Sequence, residues 1–177
     1  DESFRARILE SYRRLPNGAN AAWYEQTAMN YPGTAAARAV GRARGIGTVD
    51  VYVAAENGLP SVELLEGRRA LLQEKREIAV DVEVKAPTVK EVDVAVEITV
   101  GSGAAFADVK NTVEGCVTSF FTGRLLGKPV LLAGLGSCIY GLEGVVNYHI
   151  LAPAADVAGD DTVLPVLGKV TVTEMEA

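Results

Sequence analysis

Two runs of alternating residues, separated by a proline, most strongly limit the folds open to this chain. Each run places an aliphatic residue at every second position, at Ile78, Val80, Val82 and Val84 in the first and at Val92, Val94, Val96, Ile98 and Val100 in the second. This alternation predicts β-strands with one face in a core and the other in water. Because proline cannot donate to a β-ladder, we place a boundary between two lobes at Pro87.

Helical patterns flank these strands in both halves. Apolar residues recur at helical spacing over residues 4–15, while Asn20 and Ser61 are predicted to open two further helices. Beyond the second run, an apolar stripe from Phe106 to Phe121 predicts a long helix, which we expect to stop at Gly123. A last helix is expected after Pro129, and shorter strands are expected at residues 35–44, 48–54, 145–151 and around Val170. The sequence therefore predicts an α+β protein with two lobes, residues 1–87 and 88–177, each an antiparallel or mixed sheet covered by helices.

Charge is unevenly distributed along the chain. Residues 1–87 hold 12 Lys+Arg and 12 Asp+Glu, whereas residues 88–177 hold 5 and 11, so the second half carries the whole net charge of −6. A nucleic-acid-binding surface needs an excess of cations, so no nucleic-acid partner is predicted. A basic strip of Arg38, Arg42 and Arg44 is interpreted as a solvated strand face or as a contact for an acidic protein partner.

No membrane association is predicted, because no run of about 18 apolar residues is present and no signal peptide is visible. The sequence begins without methionine, and we expect it to be part of a longer parent protein. Cys116 and Cys138 fall at apolar positions of predicted helices and lack the paired spacing of a zinc site. They are interpreted as two buried thiols in a reducing compartment, with a disulfide between the two helices left open.

Groups that could carry out catalysis are scarce. The one histidine, His149, lies in a predicted strand with no nucleophile or orienting group in its motif, so a structural or solvated role is expected. Gly101-Ser102-Gly103 lacks the remaining residues of a phosphate-binding loop and is interpreted as a turn. Gly134, Gly136 and Gly141 are interpreted as positions of close helix packing. No catalytic, cofactor-binding or metal-binding residue, no cofactor and no enzymatic activity are predicted.

Two clusters leave binding roles open. Asp156, Asp160 and Asp161 do not match the ligand spacing of an EF-hand, so a solvated loop is expected, with weak calcium binding as the alternative. Trp23, Tyr24 and Tyr31 are expected to anchor the core of a small lobe, and an exposed aromatic contact surface is the alternative.

Several segments, taken in order, resemble the baseplate J-like family of contractile phage tails. The opening DESFRARILE leads to PNGANAAWY at residues 16–24, and Tyr31-Pro32-Gly33 precedes GTVDVYV at residues 47–53. The likeness continues through Ala86-Pro87-Thr88 and through the terminal segment VLPVLGKVTV, residues 163–172. Departures are the basic strip and Glu143-Gly144, where the family usually has a proline before the glycine.

This resemblance implies a structural subunit of a phage or prophage tail baseplate, or of a tail-derived contractile injection system. The implied partners are other baseplate wedge and hub proteins, with self-association as a further option. The implied location is a virion tail baseplate assembled in the bacterial host cytoplasm. The chain would be the middle-to-C-terminal part of such a protein. Two alternatives are kept open: a carbohydrate- or ligand-binding module for host recognition, and a small enzyme built around His149.

Overall fold

The chain forms two compact units that meet at the Pro87–Thr88 bond, and we call them unit 1 and unit 2. The computed structural model describes Arg5, Ile8, Leu9 and residues 20–175. Each unit contains a three-stranded mixed sheet packed against helices, so the predicted two-lobed α+β fold is confirmed. Arg5, Ile8 and Leu9 are helical, and the rest of the helix predicted at 4–15 lies outside the described residues.

Unit 1 is organised around a central strand, β2. Its elements are α1 (Ala21–Met29), β1 (Ala36–Gly41), β2 (Thr48–Ala54), α2 (Val62–Lys75) and β3 (Asp81–Lys85). Strand β2 pairs with β1 in antiparallel fashion through a hairpin and with β3 in parallel fashion. The parallel pair needs a crossover connection, which α2 supplies.

The starts of α1 and α2 follow from side-chain capping. The Asn20 side chain accepts a hydrogen bond from the Trp23 amide at 2.8 Å, and the Ser61 hydroxyl accepts one from the Leu64 amide at 3.2 Å. These bonds satisfy donors that the first turn of a helix leaves without partners. Both predicted helix starts are therefore confirmed.

Two strand predictions in unit 1 extended too far. Strand β1 ends at Gly41, and Arg42 turns the chain with a φ of 62°. Strand β3 begins only at Asp81, because the Arg76 guanidinium binds the carbonyls of Glu77, Ile78 and Val80 and folds them into a turn. Ile78 is consequently in a turn and not in the predicted strand.

Unit 2 is organised around β4 in a similar way. Its elements are β4 (Thr88–Val100), α3 (Phe106–Phe120), a 3₁₀ turn (Gly123–Leu125), α4 (Leu132–Tyr140), β5 (Val145–Ala152) and β6 (Val163–Glu174). Strand β4 lies between β5, which is antiparallel to it, and β6, which is parallel. Helix α3 ends before Gly123, which opens the 3₁₀ turn instead of stopping the helix. Strand β6 begins earlier than predicted, because its pairing with β4 starts at Val163 opposite Thr88.

Each unit buries a separate aliphatic core. In unit 1 the core contains Tyr24, Ala28, Ala37, Ala39, Val51, Val53, Leu72, Val82 and Val84. In unit 2 it contains Val94, Val96, Ile98, Val109, Val113, Val117, Val130, Leu135, Ile139 and Val172. Most of the alternating valines of the two strand runs are among these residues, so the alternation identified the core faces of β3 and β4.

The two cysteines form a disulfide between α3 and α4. Cys116 and Cys138 are both only partly buried, and their Cα atoms are 6.4 Å apart. This separation lies within the range of about 4.4–6.8 Å that disulfides span. The two cysteines are therefore not fully buried as expected, and the structure pairs them in the disulfide that the sequence left open.

Candidate functional site

Two isoleucines on neighbouring loops of unit 1 form the most exposed apolar feature of the described residues. The side chains of Ile46 and Ile78 are 95% and 98% exposed. Ile46 lies in the turn between β1 and β2, and Ile78 lies in the loop between α2 and β3. We call this pair the Ile46–Ile78 tip. Exposed aliphatic side chains gain free energy when a protein partner covers them, so the tip is a candidate contact surface.

The two loops of the Ile46–Ile78 tip are fixed to one another by backbone contacts. The Asp81 amide donates a hydrogen bond to the Gly47 carbonyl at 2.8 Å. A Cβ atom added at Gly47, whose φ is +79°, would lie 3.4 Å from the Ala79 carbonyl oxygen, so the loops approach closely. Loops that are held together in this way lose less conformational entropy on binding than free loops, which favours their use in an interface.

A network of charged side chains supports the base of the tip. Asp50 on β2 is 2% exposed and accepts hydrogen bonds from Arg44 at 2.7 Å and from Lys85 at 2.6 Å. Arg44 also binds the carboxylate of Asp81, and Lys85 lies 2.9 Å from Glu83. The network links the β1–β2 turn to β2 and β3, and thereby holds the loop that carries Ile46.

The pKa values in this network reflect the mutual pairing. Burial alone would raise the pKa of Asp50, but its hydrogen bonds to Lys85 and Arg44 outweigh burial and hold its pKa below the ordinary value. The hydrogen bond to Asp50 raises the pKa values of both Lys85 and Arg44. All three groups are therefore charged at neutral pH, and their arrangement is that of a structural ion-pair network.

The basic strip predicted from the sequence is dispersed and largely neutralised. Arg44 belongs to the network just described, and Arg42 lies in the turn and not on a strand. Arg38 lies on β1, 3.9 Å from the carboxylate of Glu25. Glu25 is buried and also accepts a hydrogen bond from the Ala39 amide at 3.2 Å, which occupies part of the outer edge of β1. These arginines consequently do not form one continuous cationic surface.

Arg68, on α2, is buried, and its hydrogen bonds go to a hydroxyl and to backbone carbonyls instead of a carboxylate. Arg68 donates to the Thr34 hydroxyl at 2.8 Å and to the carbonyls of Leu64, Tyr31 and Pro32. Its guanidinium also lies 4.1 Å from the centroid of the Tyr31 ring, a cation–π contact. Burial lowers the pKa of Arg68 from its ordinary value. The residue thus fixes the turn at residues 31–34. The sequence analysis did not single it out, although it lies four residues from both Leu64 and Leu72 and so on the apolar face of α2.

Trp23, Tyr24 and Tyr31 do not form one exposed cluster. Tyr24 is fully buried, and the Trp23 ring meets it edge to face, with centroids 4.9 Å apart. Tyr31 is exposed and packs on Arg68 instead. The core-anchor interpretation therefore applies to Tyr24 and Trp23, and Tyr31 has a separate role in the turn.

His149 lies on the exposed face of the sheet in unit 2. Its side chain is 64% exposed, and its Nδ1 atom is 3.8 Å from the carboxylate of Glu97, its cross-strand neighbour on β4. An imidazole in such a position is solvated and lacks the enclosed pocket in which general acid–base catalysis takes place. A shallow depression of about 210 Å³ is found in unit 1, where Thr27, Asn30 and Leu71 are among its lining residues.

Gly101, Asp156 and Asp160 each form hydrogen bonds within unit 2. Gly101 opens a turn between β4 and α3 in which its amide bonds the Gly144 carbonyl at 3.0 Å. The Asp156 carboxylate accepts a hydrogen bond from the Leu132 amide at 2.8 Å, at the N-terminus of α4. Asp160 accepts from the amide and hydroxyl of Thr162, and these bonds lower the pKa of Asp160. Over the described part of the chain, no three His, Cys, Asp or Glu side chains converge as they would around a metal ion.

Close helix packing, expected at Gly134, Gly136 and Gly141, is found at Gly134, whereas Gly136 packs against strand β5. A Cβ atom at Gly134 would lie 3.4 Å from the Phe120 ring, and one at Gly136 would lie 2.9 Å from Cζ of Tyr148. Gly141 lies at the end of α4. None of the helices within residues 20–175 has both the length and the apolar character needed to cross a bilayer.

Comparisons with known proteins match both units. The family model described as the Baseplate J-like central domain matches residues 16–95, and the model described as the Baseplate J-like protein C-terminal domain matches residues 92–173. No curated protein matches this chain significantly. The junction between the two family models falls within eight residues of the boundary between unit 1 and unit 2.

One solved structure with a similar fold is a chain in the "Cryo-EM structure of the anti-feeding prophage (AFP) baseplate, 6-fold symmetrised". The TM-score is 0.62 at 12% sequence identity, and the alignment covers 92% of this chain. It covers 40% of the other chain, so the present sequence corresponds to less than half of that protein's length. At this level of identity the similarity concerns the fold.

Proposed function

Because this chain belongs to the baseplate J-like family, we propose that it is a non-catalytic, structural part of a contractile-tail baseplate. The observation that carries this proposal is the succession of both family domains, in order, over residues 16–173. The similar fold in an anti-feeding prophage baseplate supports the same class of assembly.

In this function the two units present rigid surfaces to neighbouring protein subunits. The partners we propose are other wedge and hub proteins of the baseplate, and assembly takes place in the cytoplasm of the bacterial host. The ion-pair network and the buried Arg68 hold loops of unit 1 in single conformations, which suits a part whose task is contact. Many subunits in one particle also allow individually weak contacts to hold together, since linked binding events reinforce each other.

The direct test is genetic and structural. Deleting the parent gene from the source genome is expected to abolish tail particles with complete baseplates, and a plasmid copy is expected to restore them, as seen by negative-stain microscopy. Mass spectrometry of purified particles should detect the protein. Particles of normal appearance and infectivity formed without the gene would overturn the proposal.

The Ile46–Ile78 tip offers a sharper test of contact. Replacing Ile46 and Ile78 together by serine is expected to leave the melting temperature of the isolated chain within about 2 °C of wild type, because both side chains are exposed in the monomer. Incorporation into particles, measured by quantitative mass spectrometry, is expected to fall at least several-fold.

The matched control is Val62→Ser, at an aliphatic residue that is 66% exposed at the start of α2, away from the tip. This variant is expected to enter particles as efficiently as wild type. Equal incorporation of the tip variant and the control would show that Ile46 and Ile78 are not covered in the assembled particle.

A further inference from the structure

The disulfide of unit 2 joins two helices that cover the same sheet. Cys116 lies in the second half of α3 and Cys138 lies near the end of α4, with 22 residues of sequence separation. The loop it closes contains the 3₁₀ turn at Gly123–Leu125. Closing a loop of this size restricts the unfolded chain and thereby stabilises the folded unit.

Non-covalent contacts also join the two helices that the disulfide links. Val113 and Val117 of α3 and Leu135 and Ile139 of α4 are all buried in the core of unit 2. The Phe120 ring also packs on the backbone of α4 at Gly134. Because these contacts do not involve the sulfurs, we expect the two helices to stay in place when the disulfide is reduced.

Both sulfur-bearing residues can be reached from solvent. Cys116 and Cys138 are partly exposed, whereas their helix neighbours Val117 and Ile139 are fully buried. The state of a disulfide in such a position follows the thiol–disulfide balance of its surroundings, because small thiols can attack it. We propose that Cys116 and Cys138 are a redox-dependent cross-link, open as two thiols in a reducing compartment and closed in an oxidising one.

Closure proceeds by thiol–disulfide exchange with a small-molecule disulfide such as oxidised glutathione. The Cys116 thiolate attacks one glutathione sulfur, forms a mixed disulfide and releases the first glutathione as a thiolate. The Cys138 thiolate then attacks the Cys116 sulfur and releases the second glutathione. The protein loses two protons and two electrons, and these appear as two glutathione thiols.

In the proposed function, on which this step of the inference rests, the cysteines change redox state when the particle leaves the cell. A baseplate part assembled in the reducing host cytoplasm would have free thiols, and the released particle would meet oxidising surroundings. The link would then close in the finished particle and raise the resistance of unit 2 to unfolding.

The experiment uses the full purified chain, equilibrated in reduced or oxidised glutathione. Native alkylation followed by intact-mass measurement is expected to label both cysteines after reduction and neither after oxidation. The melting temperature of unit 2 is expected to be about 10–20 °C higher in the oxidised chain. The far-ultraviolet circular dichroism spectrum at 20 °C should be the same in both states, as expected for a link added to a finished fold.

A variant carrying C116S and C138S provides the control, and it should melt at the temperature of the reduced wild type in both buffers. If that variant does not fold, the melting temperatures and alkylation of reduced and oxidised wild type still test the proposal. Cysteines that remain open to alkylation in oxidised glutathione, or a melting temperature that does not change on oxidation, would overturn the proposal.

The same alkylation applied to particles before and after release from cells tests the link to assembly. Labelling is expected before release and protection afterwards. Protection already present inside cells would overturn the assembly step while leaving the chemistry of the purified chain intact. Absence of the protein from particles would refute the baseplate function itself, independently of the result on the purified chain.

Discussion

Asp50 is a residue whose environment makes the stability of unit 1 depend on pH. Its pKa is lowered in the folded state, so its contribution is fully present above the ordinary pKa of 3.8 and is lost as pH falls through the lower folded value. Asp50→Asn is expected to cost about 2 kcal/mol at pH 7, because Arg44 and Lys85 each lose a charged acceptor. The difference from wild type should begin to shrink below pH about 4, where Asp50 of the unfolded chain takes up a proton, and should be lost only as pH falls through the lower pKa of the folded state.

Urea unfolding at several pH values between about 2.5 and 7 measures this difference. Glu66→Gln, at an exposed position on α2, is the control and should give a curve parallel to wild type. A difference between Asp50→Asn and wild type that stays constant across the range would contradict the assigned role of the carboxylate.

Substitution of Arg68 tests whether a buried cation that binds backbone carbonyls stabilises unit 1. Arg68→Met is expected to destabilise unit 1 by about 2–3 kcal/mol, because the carbonyls of Tyr31 and Pro32 lose their donor. The neighbouring exposed Arg69→Met should change stability by less than about 0.5 kcal/mol. Chemical denaturation of both variants gives the comparison, and equal stabilities would mean that Arg68 does not hold the turn.

Among the secondary-structure elements, α4 shows most clearly how a glycine permits close packing. Gly136→Ala is expected to destabilise unit 2 by about 1–3 kcal/mol, because the new methyl group would collide with the Tyr148 ring on β5. Gly115→Ala is the control on α3, where no atom lies within 4 Å of the new Cβ. It should stabilise the helix by up to about 1 kcal/mol. Thermal unfolding of the two variants should therefore shift in opposite directions.

At the scale of the whole molecule, we propose that the boundary at Pro87–Thr88 separates two domains that fold independently. Residues 88–177 contain a complete sheet, two helices and a separate core. We expect this fragment to unfold cooperatively on heating and to show dispersed amide signals in a nitrogen–proton NMR spectrum. A fragment starting at Val96 should remain unfolded, because it lacks half of the central strand β4. A disordered 88–177 fragment would contradict the proposed boundary.

Local patterns were sufficient for much of the architecture. Alternating valines identified the buried faces of β3 and β4, since a strand turns successive side chains to opposite sides. Asn20 and Ser61 identified two helix starts, because their side chains cap the amides of the first turn. The family resemblance, carried by the order of several modest motifs, was confirmed by the family models that match residues 16–173.

The sequence by itself thus determined the fold class, the helix starts and the core positions of the long strands, because each depends on neighbours only a few residues apart. The disulfide, the pairing of Asp50 with Lys85 and the burial of Arg68 were decided by the tertiary structure. So was the exposed position of Ile78, which continues the valine alternation but follows a segment folded by Arg76. These features join residues 22 to 37 positions apart or depend on a competing local contact, and no periodic pattern records which distant segments meet.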